Sequence, residues 1–364
     1  MAPISFARGA PSPAALDPEL ISDCARGALE RDGRVILSYG AGGGYGPLRE
    51  LLGERHGVDP GRVFVTTGGL QGFVFYAAIQ LARKPGRVLV EGPTYDRPLK
   101  LLGWQGVEVV SLPMDDQGLD LDALEAELAR GGDVSFLYTI PTFQNPSGRT
   151  LGEERRRRLA ELSAAHDLDV LEDDPYGLVR YEGVAPPSLH ELEGGERVTF
   201  TSSFSKTVAP GLRVGYFVVP DALRAGYDDR AVSTYISPSL LPQAVVHELF
   251  ARGGFEGNLA RIRDLLRVQK DAMLDALQRE MPEGTSWSTP EGGYFLWIDF
   301  PAGTDAGELL GRATDAGVTF VRGSDFFPAD AAGGASASAR LAFSYEPPDR
   351  ISEGVALLAE LLRA

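Results

Sequence analysis

The chain is predicted to be an α/β protein, with a large domain built on a doubly wound, mostly parallel sheet and a smaller α+β domain. Three observations carry this. Its 364 residues exceed what one hydrophobic core usually organises, roughly 250 to 300 residues, so two lobes are expected. Short apolar runs rich in β-branched residues alternate with helical stretches through the middle of the chain, as strands joined by crossover helices do. After Pro242 that alternation gives way to a long helical segment.

Taken in order, the strands are read at Val63 to Thr66, Arg87 to Glu91, Val107 to Leu112, Val134 to Thr139, Asp169 to Glu172, Val198 to Thr201 and Val214 to Val219. Gln71 to Ala82, Leu121 to Ala129 and Glu153 to Ala165 place apolar residues at helical spacing between them. The long segment breaks near Arg252 to Gly254, resumes from Phe255 to Glu280 and is closed by Pro282. Strands are then expected at Gly293 to Asp299, Val318 to Val321 and Ala339 to Ser344, with helices near Ala306 to Ala316 and Ile351 to Leu362. Ala329 to Ser338, rich in Ala, Gly and Ser, is the expected flexible surface loop. The domain reading is residues 1–38 as an arm and part of the small domain, 39–255 as the large domain, and 256–364 as a connecting helix and the rest of the small domain.

Composition narrows the function. With 51 acidic against 35 basic residues the formal charge is -16, which disfavours nucleic-acid or anionic-membrane partners and favours a small-molecule substrate. The basic run Arg155 to Arg158 follows Glu153 and Glu154 at four-residue spacing, so it reads as a solvated helix face. A single cysteine, Cys24, leaves no internal disulfide, and no Cys/His spacing suggests a metal site. The opening MAPISFARGAPSP lacks the features of a secretory signal, and no apolar run of about 18 residues occurs, so a reducing, cytoplasmic location is expected.

The chemistry concentrates in TSSFSKTVAPGLRVGY, residues 201–216. A lysine, Lys206, follows a strand among small hydroxyl residues, with Arg213 seven positions on. An amine can condense with a carbonyl group while the flanking hydroxyls and guanidinium take up a phosphate. LEDDPYGLVRY sets Asp173 and Tyr176 at a strand's carboxyl end, the edge along which open α/β sheets bind ligands. YTIPTFQNPSGRTL ends a strand in a turn carrying Asn145, and VTTGGLQGF runs from a strand through Gly68 and Gly69 into a helix whose N–H groups could face a phosphate. Neither this stretch nor Gly40 to Gly46 matches the dinucleotide or P-loop spacing.

In chain order these segments resemble the fold-type I, class I/II aminotransferases that use pyridoxal 5'-phosphate, especially the α-aminoadipate and aromatic branch. The resemblance also takes in ISFARGAPSP, LSYGAGGGYGPLRELL, VLVEGPTYDRPLKLL, PEGGYFLWI, GVTFVRGSDFF and RLAFSYEPPDRISEGV, nearly the whole chain. It implies the aspartate-aminotransferase-like fold, with Lys206 as the Schiff-base lysine and proton carrier and Asp173 facing the pyridine nitrogen. Asn145 and Tyr176 would meet the ring's phenolic oxygen and Tyr95 would stack on the ring. It implies a phosphate cup of Ser203, Ser205, Arg213 and the backbone at Gly68, Gly69 and Leu70, with Tyr39 reaching the partner's cofactor in a homodimer with shared active sites. Arg340 would grip the substrate carboxylate, and Asn145 would help.

Departures from the pattern are Leu70, where a polar residue is common, Arg8 and Arg322; either arginine could recognise a distal carboxylate or simply be solvated. The implied reaction moves the α-amino group of an aromatic, branched-chain or aminoadipate-like L-amino acid to a 2-oxo acid such as 2-oxoglutarate. The same fold also serves lyases, decarboxylases and oxidative deaminases, and ligand sensors behind a DNA-binding module. Because the family-like arm starts at Ile4 and the charge is acidic, no such module is expected, and an enzyme is the expectation.

Overall fold

The computed structural model describes residues 3–329 and 331–364. Its strands are β1 (Ile4–Ser5), β2 (Val63–Thr67), β3 (Arg87–Gly92), β4 (Val109–Asp115), β5 (Gly118–Leu119), β6 (Val134–Thr139), β7 (Val170–Asp173), β8 (Val198–Ser203), β9 (Val214–Val218), β10 (Ser286–Trp287), β11 (Phe295–Asp299), β12 (Val318–Thr319), β13 (Val321–Arg322) and β14 (Ser338–Ala342). The helices are α1 (Pro18–Ile36), α2 (Gly46–His56), α3 (Gly69–Arg83), α4 (Asp96–Trp104), α5 (Leu121–Ala129), α6 (Glu153–Ala165), α7 (Leu189–Glu193), α8 (Asp221–Tyr235), α9 (Leu240–Ala251), α10 (Gly254–Glu280), α11 (Ala306–Asp315) and α12 (Pro348–Arg363).

Eight strands form the main sheet in the order β2-β9-β8-β7-β6-β3-β4-β5. Pairings from β8 through β7, β6 and β3 to β4 are parallel, while β9 runs against both β2 and β8. The central strands are buried on both faces, which is why they read as continuous Val/Leu/Phe runs rather than alternating ones. A second sheet, β10-β11-β14-β13, is antiparallel, and β1 pairs in parallel with β12, so the N-terminal arm is tied to the C-terminal part of the chain.

Local chemistry explains several boundaries. Asp17, Asp120 and Asp305 cap α1, α5 and α11 by accepting backbone N–H bonds, and Ser188 with Glu191 forms a reciprocal capping box on α7. The helical segment begins at Leu240, before Pro242, because a proline in the first turn loses no intrahelical bond. It breaks at Gly253, whose φ of 69° lies in the left-handed region.

Several readings need correction. The strand expected over Val318 to Val321 is two strands, β12 and β13, which part at the buried Phe320 and join different sheets. The loop expected at Ala329 to Ser338 is partly packed: Ala335 is buried with Trp297 and Phe326, and Ser338 already belongs to β14. Asp330 of that loop lies outside the described residues. Helices α1, α2, α4, α7 and α8 are additions.

The basic run on α6 is only partly solvated. Arg157 does pair with Glu153, at 2.6 Å, but Arg158 reaches Asp122 and Glu125, and Arg156 is buried at 1% exposure. Arg156 donates to the carbonyls of Leu151 and Pro141 and to Thr142 Oγ1, and lies 3.6 Å from the buried carboxylate of Glu172. It thus ties α6 to the turn that follows β6. Among the described residues no helix is long and apolar enough to cross a membrane.

Candidate active site

Because β2, β3, β6, β7 and β8 run in one direction, their carboxyl ends share one edge of the sheet, and β9, running the other way, begins there. The strand-end residues singled out in the sequence therefore arrive at the same place, except that Gly68 lies against Arg213 and outside the lining. Gly69 and Leu70 follow β2, Tyr95 follows β3, Asn145 follows β6, and Asp173 ends β7. Ser203 ends β8, with Ser205 and Lys206 just beyond, and Arg213 precedes β9. All of these line one cavity of about 340 Å³, together with Tyr176. Its opposite wall comes from Arg340 on β14, Phe295 on β11 and Gly9 of the arm.

Lys206 extends into this cavity and its Nζ donates to the Gly9 carbonyl at 2.7 Å. Tyr294 Oη in turn donates to the Lys206 carbonyl at 2.9 Å, which fixes the backbone beneath the amine. Burial, and then the positive charges of Arg340 and Arg213, lower the Lys206 amine to about 8. A substantial neutral, nucleophilic fraction exists at mildly alkaline pH.

Asp173 shows the opposite shift. Burial raises its carboxyl to about 7, the Tyr138 hydroxyl opposes this through a 2.7 Å hydrogen bond to Oδ2, and Asp174 and Glu91 add to the rise. A buried carboxylate with one such donor is suited to a cationic partner.

The turn after β2 and the start of β9 fit closely. Gly68 has a φ of 76°, and a side chain there would run into the Arg213 guanidinium. A Cβ at Gly215 would sit 2.7 Å from both the Gly68 carbonyl carbon and the Gly69 nitrogen. Glycine at 215 is what lets β9 pass behind the first turn of α3. Arg213 itself adopts φ 56° and ψ 42°, a left-handed conformation that costs a non-glycine residue roughly 1 to 3 kcal/mol. That conformation turns its side chain toward the same glycines.

On the facing wall Arg340 is 7% exposed. It donates to Asn145 Oδ1 at 2.9 Å and to the Ala7 carbonyl at 2.8 Å, and its guanidinium lies 4.1 Å from the centroid of the Phe295 ring. Among the described residues its buried Nε has no partner. Burial lowers it to about 10, so it stays cationic at neutral pH. Since Arg340 occupies Asn145 Oδ1, the Asn145 amide presents its Nδ2 donors elsewhere. Tyr176 is buried between Tyr294 and Phe295, and burial pushes its hydroxyl well above the usual range. Tyr95 is raised to about 12 for the same reason.

Three residues named from the sequence lie elsewhere. Arg8 is exposed, with its guanidinium 4.5 Å over the Tyr345 ring, and it is the neighbouring Gly9 whose carbonyl enters the cavity. Tyr39 is 83% exposed and outside the lining. Arg322 is an exposed residue paired with Asp325 at 2.7 Å. Sequence reasoning missed Tyr138, although it opens the YTIPTFQNPSG segment. It also missed Glu91, whose buried carboxylate accepts from Ile140 N at 3.1 Å and Gln144 Nε2 at 2.9 Å and so braces the turn bearing Asn145. Both lie in continuous apolar strand runs, VLVEG and VSFLYT, which mark them as core but carry no signal of a partner.

A reactive amine, a buried anion, a glycine-backed cation beside small hydroxyls and a second buried cation thus surround one space, suited to a flat carbonyl compound with an anionic tail and a carboxylate-bearing substrate. Comparison with known proteins agrees. Residues 4–328 match the family described as aminotransferase class I and II. The chain is 34% identical to aromatic-amino-acid aminotransferase 1 of Thermococcus litoralis, over 99% of this chain and 88% of that protein. It is 36% identical to 2-aminoadipate transaminase of Thermus thermophilus, over 99% and 90%. Its structure is similar to that of a kynurenine aminotransferase from Pyrococcus horikoshii in complex with PMP, with a TM-score of 0.94, 35% identity and 100% and 91% of the two chains covered. It is also similar to an α-aminoadipate aminotransferase from Thermus thermophilus complexed with N-(5'-phosphopyridoxyl)-L-leucine, with a TM-score of 0.92, 35% identity and 99% and 92% covered.

Proposed function

Because the chain belongs to the class I and II aminotransferases, it is a pyridoxal-phosphate enzyme that moves amino groups, and we propose that its donors are aromatic, branched-chain or aminoadipate-like L-amino acids and its acceptor a 2-oxo acid such as 2-oxoglutarate. The observation that carries this reading is the convergence of Lys206, Asp173, Arg213 and Arg340 on one cavity. The residues fit the cofactor: Gly68 leaves room for the Arg213 guanidinium, and Asp173 offers a buried carboxylate to a ring cation.

When bound, pyridoxal 5'-phosphate supplies an electron sink for the pair released as the substrate Cα–H bond breaks. Lys206 would hold the cofactor covalently through Nζ, and its free amine would carry the proton away from Cα. Asp173 would keep the ring nitrogen protonated. Asn145 Nδ2 and the Tyr176 hydroxyl would donate to the phenolic oxygen, and Tyr95 would cover the ring face. Ser203, Ser205, Arg213 and the backbone N–H groups of Gly69 and Leu70, beside Gly68, would bind the phosphate. Arg340 grips the substrate carboxylate with its planar fork and, with Asn145, orients Cα–H for cleavage. Apolar and aromatic lining at Phe73, Ile140, Phe295 and Tyr95 suits a donor with an apolar or ring-bearing side chain. Arg8, stacked outside the lining, is left out of this assignment.

The reading extends to assembly. Val35, Leu37 and Tyr39 are exposed, as are Val232 and Ile236. Tyr235 Oη donates to the Gly42 carbonyl, so the two groups flank one seam. That apolar surface supports a homodimer in which Tyr39 reaches the partner's phosphate. The division at residues 38 and 255 and a cytoplasmic location complete the proposal, supported by the separate sheets and the single, buried Cys24.

The test is the absorption spectrum of the purified protein, alone and with a panel of L-amino acids. Conversion of the long-wavelength cofactor band to the pyridoxamine form by such donors, reversed by 2-oxoglutarate, is expected. A donor that bleaches the band while releasing carbon dioxide, ammonia or a side-chain fragment would replace transamination with another outcome.

A further inference from the structure

Strand β6 contributes a residue to the site that the family reading leaves without a task. Tyr138 pairs with Leu171 across the β6–β7 ladder, so Asp173, two residues further along β7, is its diagonal neighbour on the same face of the sheet. The Tyr138 ring is fully buried, held edge-on by Phe73 at 5.6 Å, and its hydroxyl donates to Asp173 Oδ2 at 2.7 Å. We propose that Tyr138 is a positioning residue for Asp173, whose hydroxyl aims the carboxylate along the ring plane and keeps it a weak enough base that the shared proton stays on the pyridine nitrogen. This rests on the reading of Asp173 as the partner of that nitrogen.

The physical case has two steps. A buried carboxylate is a strong base, and Asp174 and Glu91, the other acids that act on it, make it stronger. A base stronger than the ring nitrogen would draw the proton onto oxygen and leave a neutral ring, a poorer electron acceptor. A hydrogen bond donated to the carboxylate opposes this, and Tyr138 is the donor present. Burial holds the phenol protonated across the working range, so the donor is permanent. With Oδ2 occupied, Oδ1 is the oxygen left for the nitrogen.

The test uses holoenzyme loaded with pyridoxal 5'-phosphate carrying 15N in the ring, read by NMR, with kcat and KM measured in parallel. In Tyr138→Phe the ring-nitrogen resonance should move from the pyridinium position toward the neutral one. kcat should fall roughly tenfold while KM for the donor stays within about twofold. A purely packing role would leave the resonance in place. Should that variant fail to fold, 3-fluorotyrosine placed at 138 keeps the shape and strengthens the donor, and the resonance should move the other way. Asp173→Asn separates the two readings: if it shifts the resonance and neither change at 138 does, the role of Tyr138 is overturned. If Asp173→Asn leaves it unmoved, the assignment of Asp173 falls and this proposal with it.

Discussion

The wall of the cavity made by the large sheet and the wall made by β14, β11 and the arm hold their charged groups in different ways. On the sheet side the charged groups sit at strand ends: Asp173 is the last residue of β7 and pairs with Thr201, Lys206 lies three residues past β8, and Arg213 directly precedes β9. On the other side Arg340 lies within β14, laddered between Trp297 of β11 and Val321 of β13, and its side chain is steadied by an aromatic ring and two hydrogen bonds, one of which ends on the Ala7 carbonyl of the arm. The first wall is suited to chemistry that tolerates no displacement. The second is suited to selecting and releasing substrates, because its contacts can exchange one at a time.

Experiments on each wall sharpen that contrast. The largest effect is expected for Lys206→Ala, with the half-reaction rate falling at least about 10³-fold and covalent cofactor retention lost, read by stopped-flow absorbance. Arg156→Ala attacks the frame behind the sheet wall. It strands the buried Glu172 and should cost about 3 to 5 kcal/mol in urea denaturation, with denaturant sensitivity per molar unchanged. Arg340→Lys, on the adjustable wall, should reduce kcat/KM for all α-amino acids by about 30- to 100-fold through loss of the bidentate grip, with cofactor binding intact. A loss of cofactor instead would show that the two walls are not independent.

A pH series is the next most sensitive. Because the folded Lys206 titrates at about 8, covalent capture of cofactor by the apoprotein should rise about tenfold per unit up to pH about 8 and level off, rather than climbing to the ordinary lysine value near about 10.4. The same depression means the folded apoprotein carries a poorly solvated ammonium at low pH. Its stability should therefore rise as pH increases from about 8 toward about 10.4, where the unfolded chain still holds that proton. The smallest effect belongs to Arg322→Ala, an exposed pair with Asp325, which should change stability by less than about 0.5 kcal/mol and leave donor preference unaltered.

The central sheet and the residues on its carboxyl edge were legible in the chain because each lies within a few positions of a continuous apolar strand. Strand, turn and functional residue are local in sequence: VLED carries Asp173, TSSFSK carries Lys206, and GLRVGY carries Arg213 and the glycine that β9 requires. Once the strands are read as parallel, the direction of the chain says which end faces the ligand.

What the tertiary structure alone decided are relations between residues far apart in the chain. That Gly9 rather than Arg8 meets Lys206 depends on β1 pairing with β12 more than 300 positions away. Arg156, indistinguishable by spacing from its solvated neighbours, is buried because the turn after β6 and the end of β7 happen to close over that face of α6. Tyr138 reads as one more core aromatic until the register of β6 on β7 sets its hydroxyl against Asp173. A residue type and its local period report burial and element, but a hydrogen-bond partner is chosen by the packing of elements whose sequence separation carries no signal of its own.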